Sequence, residues 1–333
     1  MTRHQSMIHC QSIGIDVSKR TLAITGKNGA QYLYREIANT ETSIRRWVRS
    51  LIGYEGLIIV ESTAWYHYLI ALYCSEAGLD IRVINPLLSS KYAKSAIRKV
   101  KSDPADSRHL ANMGVTEPDL PAAAKVTRNR LQYQRMLGLL HGIDKQIQSF
   151  AQRLSDFADC MSALDADTSA LESLRDVLRE LARSKRNLQL EVDALAARIA
   201  EQESIQSQAV FAGLPGLRPI SSLLSVTLNM DVKSAKSWIG FTGIDISVRQ
   251  SGSWRGRSRL TKRGNRYLRK RLYQAAWGAC LNYAEVRSYY DHLKAQGRCH
   301  VESVLMIARK LLRIAYRLLQ TGDTYDPNEA FAY

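Results

Sequence analysis

The sequence predicts a mixed α/β N-terminal domain, then a helical arm, then a mainly helical and strongly basic C-terminal domain. Three observations carry this reading. Short apolar runs alternate with helical spacing through the first third. An unbroken 3–4 apolar alternation fills the middle. Ten Lys and Arg residues crowd between Arg249 and Arg271 with no acid among them. The chain divides accordingly into residues 1–124, 125–205 and 206–333.

Ser12–Thr25 (SIGIDVSKRTLAIT) reads as a strand entering a Gly-containing turn at Lys27–Gly29, with Ala30–Ile37 as its hairpin partner. Thr40–Leu51 has helical spacing, Gly56–Glu61 is a short buried strand, and Ala64–Ala77 is again helical. Asp80–Asn85 is another strand, ended by Pro86. Short buried strands alternating with helices give a mixed α/β sheet.

In the middle, apolar residues fall at Tyr133, Met136, Leu140, Ile143, Ile147, Phe150, Leu154 and Phe157. After a polar break the pattern resumes at Leu171, Leu174, Leu178, Leu181, Leu188, Val192, Leu195 and Ile199, with Lys185 in the seam. Ser169 and Glu172 have the form of a capping box for the second helix. Two such helices suggest an antiparallel hairpin or a coiled-coil oligomerisation arm. Two ordinary core-packing helices are the plainer alternative. Lys185 either fixes register or snorkels at the edge. Beyond the arm come the Gly/Pro turn Ala212–Pro219, the basic segment, and an amphipathic helix at Val301–Gln320.

Composition narrows the class. The 333 residues are 45% hydrophobic and 23% charged, a globular balance. The net charge of +16 points to a polyanionic partner, most simply nucleic acid. Most of that excess sits between Arg249 and Arg271. No apolar run reaches the roughly 18–20 residues needed to span a bilayer, and the N-terminus lacks a secretory core. Cys10, Cys74, Cys160, Cys280 and Cys299 never pair as CxxC, which argues against a zinc ribbon or a disulfide scaffold. A soluble cytoplasmic protein that handles DNA or RNA is expected.

Four carboxylates sit where chemistry would want them. Asp16 lies inside the first strand, Glu61 closes the strand LIIVE, and Asp103 and Asp106 lie three apart at a helix start. Clustered carboxylates repel unless a divalent cation neutralises them, and Mg²⁺ prefers hard oxygen ligands. Two such ions about 3.5–4 Å apart are a common device for cutting phosphodiesters. Each acid also has a plain alternative. Asp103 before Pro104 is a good helix cap, Asp106 favours the helix dipole, Asp16 could begin a turn, and Glu61 could face water. The first strand also fits the opening hairpin of actin-like ATPases, but the second domain copy and Gly-rich adenosine site of that fold are not visible.

In the basic segment (QSGSWRG then RSRLTKRGNRYLRKRL), Gly252, Gly256 and Gly264 let backbone amides approach a phosphate. Arg249, Arg255, Arg257, Arg259, Lys262, Arg263, Arg266 and Arg269 are candidate phosphate contacts, joined by Lys99, Lys101 and Arg218 elsewhere. Trp254 and Tyr267 could stack on bases or simply pack. On residues alone, Ser251 and Ser253 read first as phosphate hydrogen-bond donors; a serine nucleophile activated by the surrounding cations is the sharper option.

These residues together resemble a known family. IGIDVSK, IVES, VINP followed by KSDPAD, then FTGI and QSGSWRGRSRLTKRGNRYLRKRL, are similar to the DEDD-type transposases of bacterial insertion sequences (the "one-ten" group) and to the related Piv pilin-gene invertases. The resemblance covers nearly the whole chain. It implies a RuvC-like (RNase H fold) domain whose tetrad falls on Asp16, Glu61, Asp103 and Asp106 and binds Mg²⁺, two ions per site. It also implies a C-terminal transposase domain whose serine nucleophile matches Ser251, with Ser253 as the nearby alternative. The serine would attack a DNA phosphate and form a covalent link, with the metals supplied from another subunit of a dimer or tetramer. In the insertion-sequence branch a structured bridge RNA would pair with donor and target DNA. One departure is the turn Pro215–Gly216–Leu217–Arg218, where relatives show PGIG.

A Piv-type invertase is the nearest rival. A RuvC-like junction nuclease would need the carboxylates but not Ser251. A non-enzymatic DNA-binding protein would need neither.

Overall fold

The computed structural model describes residues 6–94, 103–117, 120, 126–203, 205–229, 232, 234–247, 250–251, 254–255, 259–262 and 264–331. The chain forms two compact units, 1–132 and 133–333.

The first unit runs β1 (Ser12–Val17), β2 (Thr21–Asn28), β3 (Gln31–Ala38), α1 (Glu41–Arg49), β4 (Leu57–Glu61), α2 (Tyr68–Glu76), β5 (Ile81–Ile84), α3 (Pro86–Lys94) and α4 (Asp103–Thr116). The five strands make one sheet in the order β3-β2-β1-β4-β5. β1, β2 and β3 pair antiparallel, whereas β1, β4 and β5 run parallel. This mixed sheet is consistent with the RuvC-like domain expected from the resemblance.

Alternation along β1 explains the layering. Ile13, Ile15 and Val17 point into a core shared with Ile44, Trp47, Ile70 and Tyr73 of α1 and α2. Ser12, Gly14 and Asp16 occupy the opposite face, where α4 lies. The sequence reading of a single strand over Ser12–Thr25 is corrected here. The Ser18 hydroxyl accepts from the amides of Arg20 and Thr21, at 3.2 and 2.9 Å, and turns the chain back after Val17. Two strands result, with Asp16 opposite Ala23.

The second unit carries α5 (Arg128–Ala163, which begins in the first unit), α6 (Ser169–Gln202), α7 (Ser207–Gly213), α8 (Ser221–Leu228), α9 (Ala235–Thr242), four two-residue strands, then α10 (Arg266–Asn282), α11 (Ala284–Ala295), α12 (His300–Thr321) and α13 (Pro327–Ala330). The strands are β6 (Ile246–Ser247), β7 (Gln250–Ser251), β8 (Trp254–Arg255) and β9 (Arg259–Leu260). β6 pairs with β9 and β7 with β8.

Only parts of the two long helices join the core of this unit. Tyr133, Leu137 and Leu140 of α5, with Val192, Leu195 and Ile199 of α6, pack with Phe211, Leu224, Leu272 and Leu311. Nearer the turn that joins the helices, Phe157, Leu174 and Leu181 of the expected seam are exposed. The expected capping box does not form. Asp167 accepts both the amide of Ser169, at 2.8 Å, and its hydroxyl. Glu172 instead binds Arg175, at 2.6 Å. An Asp two residues ahead competes better for that amide because its short side chain closes a local ring.

Candidate active site

Three contacts fix α4 on the sheet, and their register delivers the carboxylates. A Cβ on Gly14 would lie 2.2 Å from both the amide nitrogen of Ala111 and the carbonyl of Ser107, so helix backbone rests directly on strand backbone. Ser12 donates its hydroxyl to the Ala111 carbonyl, and a Cβ on Gly114 would meet Ser12 at 2.9 Å. Thr25, beside Gly14 on β2, hydrogen-bonds Ser107 at 2.8 Å with both residues buried. α4 therefore runs antiparallel to β1. Two strand residues advance about 6.6 Å and one helical turn about 5.4 Å. Stepping from Ser12 to Gly14 to Asp16 moves the helix partner from Gly114 and Ala111 to Ser107 and on to the first turn, which holds Asp103 and Asp106.

Glu61 arrives from the other side. The parallel register Ile15 with Val60 sets Glu61 in the row of Asp16, at the C-terminal ends of adjacent strands. Ends of parallel strands are where open α/β sheets carry their sites. Ser89 of α3 donates to the Glu61 carboxylate and orients it.

The electrostatics of Asp16 agree with that register. Burial first, then the charges of Asp106 and Asp103 and more weakly Glu61, push the Asp16 carboxyl up to about 6, against one lowering contribution from the Val17 amide. The charges of Asp106, Asp103 and Glu61 are thus all felt at Asp16. Among the described residues no three His, Cys, Asp or Glu side chains stand close enough together to hold a metal ion. The donor set is nonetheless of the right kind for a hard divalent cation: oxygen ligands only, from three elements, with repulsion that a cation would relieve.

The sequence reading missed the residues that hold this arrangement. Gly14 carried a signal, since a glycine inside a strand marks close backbone approach. Ser12, Thr25, Ser89 and Ser107 carried none. Tyr34 was missed as well. It lies in the row of Thr25 and Gly14, its hydroxyl donates to Glu36 at 3.3 Å, and burial first, then Glu36, Asp103 and Asp16, raise its pKa.

The other predicted residues belong to the second unit or fall outside the description. Ser251 is on β7, opposite Trp254 of β8. Arg255 is on β8 and Arg259 on β9. Lys99, Lys101, Arg249, Arg257 and Arg263, with Ser253, Gly252 and Gly256, lie outside the described residues. Lys262 and Arg266 are exposed, as is Arg218. Arg269 is half-buried and commits one guanidinium nitrogen to the Thr242 carbonyl at 3.3 Å.

Two glycines of this unit serve packing. A Cβ on Gly264 would fall 1.8 Å from the Phe241 carbonyl, so that glycine seats the basic segment on the turn after α9. Gly216, at φ +71°, would meet the Ala275 carbonyl of α10 at 2.4 Å, and the departure at Arg218 leaves that contact intact.

Comparison with known proteins agrees with the resemblance. Residues 13–156 match a family model described as a transposase, and residues 208–291 match one described as the transposase IS116/IS110/IS902 family. A 43.6 kDa protein of insertion element IS110 from Streptomyces coelicolor is 23% identical, over 94% of this chain and 95% of its own. The pilin gene-inverting protein of Moraxella lacunata is 22% identical over 94% of this chain and 97% of its own, and that of Moraxella bovis 23% over 81% of each. The chain belongs to the IS116/IS110/IS902 family of transposases, enzymes that cut and rejoin DNA.

Proposed function

We propose that this chain is the recombinase of an insertion sequence, a Mg²⁺-dependent enzyme that uses Ser251 as its nucleophile. The observation that carries the metal half is the half-buried Asp16 carboxyl at the end of β1, in the row of Glu61 and on the face that α4 covers, where burial and the charges of three other acids push its pKa up to about 6. Asp16, Glu61, Asp103 and Asp106 would hold the cation, two ions per site. A bound divalent cation would polarise the phosphate and stabilise charge on the attacking and leaving oxygens.

The chain's own residues do the rest. Ser251 Oγ loses its proton and attacks a DNA phosphorus. A phosphoserine ester forms, one P–O bond of the DNA backbone breaks, and the departing oxygen takes up a proton as a free hydroxyl. Rejoining reverses the step with a hydroxyl from another strand, so the number of phosphodiester bonds is conserved. Arg255, Arg257, Arg259, Lys262, Arg263, Arg266 and Arg269 supply cations for the DNA backbone, as do Arg249, Arg218, Lys99 and Lys101.

The enzyme acts as a dimer or tetramer whose long helices pair as a coiled coil; the exposed Leu174, Val177 and Leu181 on α6 support this. Carboxylates of one subunit then serve the serine of another. A structured bridge RNA pairs with donor and target DNA and supplies specificity. The work is cytoplasmic, at the nucleoid; no helix among the described residues is long and apolar enough to cross a membrane. The second reading, a site-specific invertase with the same chemistry, draws on the Moraxella pilin gene-inverting relatives. Inverted repeats flanking a resident cassette beside the gene would decide for it.

Trapping the intermediate tests the proposal. Cells expressing the protein with its native flanking DNA are lysed in SDS and the 37.5 kDa chain is examined for attached DNA. An adduct present in wild type and absent in both Ser251→Ala and Asp103→Asn is expected. An adduct that survives Ser251→Ala moves the nucleophile to Ser253. Nicking that depends on Asp103 alone makes the enzyme a metal nuclease.

A further inference from the structure

We propose that the exposed face of α12 is a second docking surface for the backbone of duplex DNA, separate from the Arg249–Arg271 segment. Met306, Arg309, Lys310, Arg313 and Arg317 line a groove of about 510 Å³ together with Tyr289 of α11. Their spacing of three or four residues puts them on one side of the helix. Between Arg309 and Arg317 the row is about 12 Å long, at 1.5 Å per residue. The opposite side of α12 is fully committed to the core through Val304, Ile307, Ala308, Leu311 and Ala315, so the cationic side faces out by default.

Four cations on a little over two turns repel one another. Among the described residues Arg309, Arg313 and Arg317 form no ion pair. Burial and the neighbouring Arg313 lower the pKa of Arg309, with Asp245 and Glu302 opposing at longer range. Glu302 is itself paired with Arg298. Lys310 lies over the rings of Tyr289, at 4.1 Å, and Phe331, at 5.0 Å, which holds its ammonium at the groove wall. The groove has a definite end, because Arg317 also borders a cavity lined by Asp323, Asp326 and Glu329. Its other end reaches toward β6, since Asp245 stands immediately before Ile246 and acts on Arg309. β6 pairs with β9, which belongs to the basic segment.

A straight row of guanidinium groups, walled by aromatic and aliphatic side chains and with no carboxylate of its own, is complementary to a run of backbone phosphates. Duplex DNA is the occupant because this family acts on DNA; the inference rests on that reading. Such contacts carry no sequence information and would add to affinity and salt dependence alike.

Binding of a fluorescent 30-base-pair duplex, taken from the end of the element, is measured by anisotropy across a salt series for the full-length chain. Arg313→Gln should weaken binding roughly fivefold and lower the salt slope by about 1, whereas Arg313→Lys should restore the slope. Arg183→Gln, an exposed arginine paired with Glu180 on α6, serves as the control. If Arg313→Gln matches wild type, or if the control loses as much, the groove is not a DNA surface, while the serine adduct of wild type leaves the recombinase reading standing. If Arg313→Gln impairs binding of an RNA duplex but not DNA, the occupant is wrong. If wild type shows no salt-dependent DNA binding at all, both readings fall.

Discussion

Asp16 is half-buried and Asp144 buried, one in each unit, and the fold treats their charges in opposite ways. Asp144 on α5 is 8% exposed and is clamped between Lys185 of α6 and Lys270 of α10. Burial alone would raise its carboxyl, but hydrogen bonds from the two lysines hold it below the ordinary range. Among the described residues, no cation acts on Asp16. Its neighbours are three more acids, and its pKa rises to about 6. Asp144 is compensated from within, whereas the metal role proposed for Asp16 leaves its charge to be compensated from outside.

The largest effect should come from breaking the packing that forces the acids together. Gly14→Ala puts a methyl group 2.2 Å from the backbone of both Ser107 and Ala111, and backbone cannot rotate away. The helix must lift, at a cost of about 3 kcal/mol or more. Calorimetry should show the midpoint falling by about 10 °C. Recombination should be lost as well, because Asp103 and Asp106 leave with the helix. Gly142→Ala, in open space on α5, should be neutral or slightly stabilising. A midpoint for Gly14→Ala within a degree of wild type would show that α4 is not seated on β1.

The second effect is the converse. Asp144→Asn keeps the shape but strands two lysines, and should destabilise by about 1–3 kcal/mol. Urea unfolding checks this, and Lys185→Met paired with Asp144→Leu should recover part of the loss. An unchanged midpoint would mean that the triad is solvated and idle. Metal-dependent behaviour of the first unit should not respond to these changes.

How far the sequence anticipated this divides along the same line. The strands, the elements that carry the four acids and the long helices were legible because each rests on local pattern: an acid in an apolar strand, an acid pair at a helix start, a 3–4 alternation. Lys185 was legible as an anomaly, but its partners were not, for Asp144 is 41 residues away and Lys270 sits on a third helix. The turn at Ser18 was missed because the apolar run resumes at once in Leu22 and Ile24, hiding a break made by a single hydroxyl. Gly264 also has a packing role, since a Cβ there would meet the Phe241 carbonyl, a contact that no local pattern announces. The stripe on α12 was legible only as amphipathicity. Which side faces out, and that four cations share it, depends on the packing of the other side.

The smallest effect is also the most direct reading of the contrast. Because the fold raises the Asp16 carboxyl above its usual value near 4, the unfolded chain ionises first as pH rises. The native state then holds a proton that the unfolded state has lost, so the stability contributed by protonated Asp16 is full below about pH 4 and disappears by about pH 6. Asp16→Asn abolishes that loss. The variant should gain on wild type by about 1–2 kcal/mol between pH 4 and pH 7, a figure reduced for the partial exposure of the site. Mg²⁺ at neutral pH should narrow the gap by stabilising wild type alone, since only the ionised tetrad attracts it. Asp144 has the opposite sign, its contribution being present above about pH 4 and lost below. Equal stability differences between Asp16→Asn and wild type at both pH values would mean that the four acids do not feel one another, and the convergence argued from the register of α4 on β1 would fail with them.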